Sequence, residues 1–100
     1  MVVVELLIVE VTAEDREKYL QIDREIWTKE IAQFPAFINK EVWLNPYAPT
    51  EVILVIRWRS RQEWKAISVQ LLEEIERQFA LKMGSTRYKI VESVEYQVVE

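Results

Sequence analysis

With 100 residues, half of them hydrophobic, one glycine and three prolines, the chain is sized for a single domain over residues 1–100 and is too regular in composition for a disordered segment. A net charge of −4 with no long basic run argues against nucleic acid as a partner. Zero cysteines and zero histidines remove disulfides, thiolate nucleophiles, the usual zinc and haem ligands and the commonest general base.

The first apolar run is broken by Glu5 and Glu10 and has no cationic segment before it, so neither a signal peptide nor a membrane span is expected, and a cytoplasmic location is. Residues 2–11, VVVELLIVEV, read as a strand apolar on both faces, with Val2, Val4, Leu6 and Ile8 on one side and Val3, Leu7, Val9 and Val11 on the other. Thr12 then opens a helix whose apolar side carries Tyr19, Leu20, Ile22, Ile26, Trp27, Ile31 and Phe34, and Pro35 ends it. Phe37 to Leu44 alternates roughly, as an edge strand would.

Val52 to Ile56 is the most apolar run and reads as a buried central strand. Ser60 and Glu63 form a capping box, and Trp64, Ile67, Leu71 and Ile75 continue at helical spacing, so one helix is expected from Ser60 to Met83, closed by Gly84. Tyr88 to Val99 reads as a half-buried strand with Tyr88, Ile90, Val94, Tyr96 and Val98 on one face. The order β-α-β-β-α-β is the split βαβ arrangement, with the first and third strands expected side by side and parallel at the centre and both helices on one face. The other face would expose Val3, Leu7, Val9, Ile53 and Val55, and a second copy of the chain is the simplest cover.

The words FPAFINKEVW, VIRWRSRQEWKAI and DREIWT resemble the dimeric α/β-barrel superfamily, in particular small proteins related to the antibiotic biosynthesis monooxygenase domain. Where members carry Pro-Gly-Phe after the first helix, this chain has Pro35, Ala36 and Phe37. The resemblance implies an α+β ferredoxin-like domain with an antiparallel sheet, a homodimer in which two sheets face each other, and a ligand cavity between helices and sheet. Among the activities it implies is oxidation of an aromatic or quinol-like substrate without a cofactor. Relatives that degrade haem use a histidine ligand, which this chain lacks. A tryptophan and an asparagine serve the oxidation in relatives, and Trp27, Trp58, Trp64 and Asn39 are residues of those types here.

From the residues alone, the four tryptophans read either as core or as the wall of a pocket for a small apolar or aromatic ligand. Arg57, Arg59, Arg61 and Lys65 cluster near the strand-to-helix junction and read either as a solvated strand end or, through Arg57, as a ligand contact. Arg16, Asp23 and Glu30 recur every seven residues along the apolar side of the first helix, so each needs a partner or a cavity. Asp23 and Glu30, flanking Trp27, are the candidate catalytic pair: desolvation and mutual repulsion would raise the pKa of Asp23 and poise it for proton removal. An arginine reaching Asp23, either Arg16 or Arg57, would make it a structural ion pair instead. The expected function is a small-molecule-binding homodimer acting as a cofactor-independent monooxygenase, with a non-catalytic dimerisation or ligand-sensing domain as the alternative.

Overall fold

The computed structural model describes residues 1–100. Strands β1 (Val3–Val11), β2 (Phe37–Trp43), β3 (Glu51–Trp58) and β4 (Tyr88–Gln97) form one sheet in the order β2-β3-β1-β4. Every neighbouring pair is antiparallel, so β1 and β3 oppose each other, contrary to the parallel pairing expected from the sequence. The reason is the connectivity: β3 returns from β2 through a short hairpin, while the helical crossover from β1 makes β2 parallel to β1. A strand inserted between two parallel strands by such a hairpin must oppose both. β2 lies at the edge and β3 is central, as their patterns predict.

Both helical segments depart from the single regular helices expected. After a 3-10 turn at Ala13–Asp15, α1 (Arg16–Asp23) runs into a π turn at Arg24–Thr28 and ends as α2 (Lys29–Ile31). An extra residue in that turn moves everything beyond it by about 100° around the axis. The second segment is split. Ser60 caps α3 (Arg61–Lys65), its Oγ accepting from the Glu63 amide at 3.1 Å, but Ser68 caps again, accepting from the Leu71 amide at 3.3 Å, and α4 (Val69–Met83) starts there. Ile75, Phe79 and Met83, spaced by one turn, form the buried stripe of α4. Gly84 ends it at φ 61° and ψ −125°, a conformation that a side chain would strain.

Two bulges decide which residues face the helices. Ile8 pairs with Glu92 but Val9 with Ile90, leaving Val91 as an extra residue, and a similar slip between Phe37 and Asn39 leaves Ile38 extra. Tyr88 and Ile90 therefore lie on the helix side with Val9 and Val11, whereas Val94 and Tyr96 share the opposite side with Leu6 and Val4. The single face expected for the last strand is divided by its bulge. Val3, Leu7 and Val9 also face the helices, so the apolar residues of the uncovered side are Val4, Leu6, Ile8, Trp43, Ile53, Val55, Val94 and Tyr96, with polar neighbours.

The core is in two parts. Val9, Tyr19, Val52, Phe79 and Met83 anchor one end of the helix layer, and Val3, Ile31, Ala36, Ile56 and Trp58 the other. No helix is long and apolar enough to cross a membrane.

Candidate functional site

Between these two clusters, helices and sheet do not close on each other. They leave a cavity of about 340 Å³, within the size range of small-molecule sites. Six aromatic side chains contribute to its wall: Tyr19, Trp27, Trp58, Trp64, Phe79 and Tyr88. Trp58 and Trp64 stack with ring centroids 6.0 Å apart and planes 5° from parallel. The capping box at Ser60 explains this pair, because turning from β3 directly into α3 brings Trp64 back over Trp58. Lys65 extends that turn and places its Nζ 4.0 Å from the Trp64 ring centre.

Set in this apolar wall is a buried ion pair. Asp23, from the last turn of α1, is 1% exposed, and its Oδ2 accepts from Lys40 Nζ at 2.6 Å. Lys40 also donates to Thr28 Oγ1 at 2.7 Å. The π turn carries Thr28, and the bulge at Ile38 sets Lys40 on the helix side of β2. Asp23 Oδ1 has no hydrogen-bond partner although it is fully buried, an arrangement that costs about 1–3 kcal/mol in a native core. Burial raises the Asp23 carboxyl above its ordinary range, against the attraction of Lys40 and Arg24, and depresses Lys40 against the pull of Asp23 and Glu5. Both partners are thus pushed toward neutrality, and each holds the other back.

Two further carboxylates are fixed by indoles. Glu5 Oε1 accepts from Trp58 Nε1 at 3.2 Å, and burial pushes this carboxyl up despite that hydrogen bond. Glu76 on α4 accepts from Trp27 Nε1 at 3.2 Å and from the Tyr88 hydroxyl at 2.6 Å. The Tyr88 phenol is raised by burial and then by its bond to Glu76, and Tyr19 is raised by burial and then by Asp23. Both stay protonated at neutral pH.

Of the residues singled out from the sequence, Asp23, Trp27, Trp58 and Trp64 come together on the cavity wall. Glu30 does not. The π turn between it and Asp23 breaks the seven-residue row, leaving Glu30 half-exposed and off the cavity. Asn39 and Arg57 are cross-strand partners on the uncovered side of the sheet, where Arg57 Nη1 donates to Asn39 Oδ1 at 3.3 Å and to Glu41 Oε2 at 3.4 Å. The cation that reaches Asp23 is Lys40, not Arg16 or Arg57. Sequence reasoning missed Lys40, Glu5 and Glu76. The alternation of β1 does put Glu5 with Val3 and Leu7, among helix-facing residues, and this was the available signal.

No protein-family model and no curated protein matches the sequence. Comparison of folds is more informative. A candidate antibiotic biosynthesis monooxygenase from Bordetella bronchiseptica superposes with a TM-score of 0.76 at 10% identity, covering 99% of this chain and 98% of its own. A variant of SnoaB, a cofactor-independent oxygenase from Streptomyces nogalater, gives 0.71 at 9% identity, covering 99% and 94%. A candidate antibiotic biosynthesis monooxygenase from Chloroflexus aurantiacus gives 0.70 at 16%, covering 100% and 95%. Over essentially its whole length, the chain has the ferredoxin-like α+β fold of antibiotic biosynthesis monooxygenase-like proteins.

Proposed function

We propose that the protein binds an aromatic or quinol-like small molecule in the cavity between helices and sheet and oxidises it with dioxygen, without a cofactor. The observation that carries this reading is Asp23 Oδ1, a buried acceptor without a donor on the wall of an aromatic-lined space. A ligand hydroxyl there would satisfy the orphaned lone pair and deliver its proton to a carboxyl whose affinity for protons burial has already raised. Lys40, 2.6 Å from the same carboxylate, would favour the anion that forms. Such an anion is electron-rich enough to reduce dioxygen. With the substrate supplying all the electrons, SH2 and O2 give SO and H2O, so no outside reductant is required. The fold shared with a cofactor-independent oxygenase supports the same chemistry.

The cavity also supports binding over the rival reading of a domain that only dimerises, since a solid core would serve that purpose better. Homodimerisation through the uncovered sheet face is part of the proposal, with Asn39 and Arg57 as interface residues.

Oxygen uptake with dithranol as probe tests the reaction. The protein is expected to accelerate consumption of one O2 per probe molecule without added metal or flavin. Asp23→Asn should abolish the acceleration while circular dichroism shows the fold retained. Acceleration undiminished in a folded Asp23→Asn variant would remove Asp23 from the chemistry, and probe binding without uptake would favour a ligand-sensing role.

A further inference from the structure

The cavity has an unbalanced charge. Glu5, Asp23 and Glu76 line it, and Lys40 is the one cationic side chain that does. Lys40 is hydrogen-bonded to Asp23 and Thr28 and, like Lys65, reaches Glu5 only by longer-range attraction, so neither Glu5 nor Glu76 has a lysine or arginine bonded to it. Neither is loosely placed. An indole N–H fixes each, Trp58 for Glu5 and Trp27 for Glu76, and Tyr88 adds a second bond to Glu76. Around them stand rings whose faces attract cations. The outer end of the Trp58–Trp64 stack already takes an ammonium, that of Lys65.

We infer that the aromatic ligand carries a protonated amine, held by Glu5 and Glu76 against the indole faces, while its hydroxyl meets Asp23 Oδ1. The ligand class is therefore an arylalkylammonium, and this inference rests on the cavity being a ligand site. The hydroxyl is placed by Asp23 Oδ1, a buried acceptor for which none of the cavity's own groups supplies a donor. Anionic aromatics are disfavoured by the same arrangement, because a like charge is repelled by Glu5 in the buried part of the wall and, more weakly, by the exposed Glu76 at its border. Burial raises Glu5, and a bound cation would stabilise its ionised form.

Calorimetry with three ligands of nearly equal shape tests this: naphthylethylamine, naphthylethanol and naphthylacetate. The amine is expected to bind about ten-fold or more tightly than the alcohol, a difference of about 1.4 kcal/mol, and the acid most weakly. Combining Glu5→Gln with Glu76→Gln should erase the preference for the amine and leave alcohol binding nearly unchanged. Each glutamine keeps an oxygen to accept from its indole, and at position 76 the new amide NH2 can donate to the Tyr88 hydroxyl in place of the bond that Glu76 accepts from it, so the wall is preserved. Equal binding of amine and alcohol would overturn the charge inference and leave the aromatic site standing, as would a preference that survives the double substitution. If none of the three binds, the cavity is not a site for small aromatics, and both readings fall.

Discussion

Lys40 shows how far a single side chain depends on its surroundings. On an edge strand it would ordinarily sit in water, yet its ammonium lies 2.6 Å from Asp23 with both side chains 2% exposed. Removing one partner of such a pair leaves an uncompensated buried charge, whereas replacing both with apolar groups is often neutral. Lys40→Met is therefore expected to cost about 3–5 kcal/mol in urea unfolding, and Lys40→Met combined with Asp23→Leu should recover most of it. A double variant as unstable as the single one would mean that the pair itself holds the fold. Glu5 makes a separate prediction in pH. Its folded carboxyl keeps its proton to higher pH than the ordinary 4.5, so the native state binds more protons than the unfolded chain across that window and stability falls as pH rises through it. Glu5→Gln cannot ionise and keeps an acceptor for Trp58. It should raise the melting temperature by a few degrees near pH 7 and change it little near pH 4, where both states are largely protonated. An equal gain at both values would assign the effect to packing.

Among the elements, the break between α3 and α4 has a test of opposite sign for the two descriptions of it. In one continuous helix Ser68 would be interior, and alanine, the better helix former, would stabilise by up to about 0.7 kcal/mol. As the N-cap of α4, accepting from the Leu71 amide, it should lose about 1 kcal/mol on Ser68→Ala, measured by chemical denaturation. The strands were legible in the sequence because β-branched runs such as Val52–Ile56 have few alternatives. The break was not, because Trp64, Ile67, Leu71 and Ile75 keep helical spacing across it, and the second cap at Ser68 is a local signal that this periodicity masks. Three irregularities escaped for a different reason. A π turn at Arg24–Thr28 and bulges at Ile38 and Val91 are fixed by what the neighbouring strand or helix requires, not by local preference. Each shifts the face of everything beyond it, and together they account for the site: Glu30 leaves the Asp23 row, Lys40 enters the cavity, and Tyr88 parts from Tyr96. Asp23, Trp58 and Trp64 were legible because no irregularity lies between each of them and the cluster it packs on, and Trp27, inside the π turn, still reaches the cavity wall.

Taken whole, the molecule is a two-layer slab 38 × 31 × 18 Å in extent, with helices on one side of the sheet and none on the other. The uncovered side spans four strands about 4.8 Å apart and some eight residues at about 3.3 Å each, roughly 500 Å² in plan. Two such faces pressed together would bury about 1,000 Å² in plan, enough to reach the threshold of about 1,000 Å² for a specific association. Composition agrees with that use. Leu6, Ile8, Ile53 and Val94 make an apolar centre around Val55, which they already cover to 1% exposure, Trp43 stands beside it 44% exposed, and Arg57, Asn39 and Glu41 satisfy one another at its border, as polar groups at an interface rim do. Sedimentation at micromolar concentration is expected to give twice the chain mass. Ile53→Lys places a charge in the middle of the apolar patch while the helix-side core at Val52 and Leu54 is untouched, so it should yield folded monomer. Trp43→Ala should weaken association by about ten-fold or more, as loss of a large aromatic anchor does. A wild-type monomer at that concentration would refute the interface, and a variant dimer indistinguishable from wild type would place it elsewhere. Because Trp27, Asp23 and the cavity lie across the sheet from this face, the Ile53→Lys monomer should still bind the naphthyl amine, separating assembly from ligand recognition in one protein.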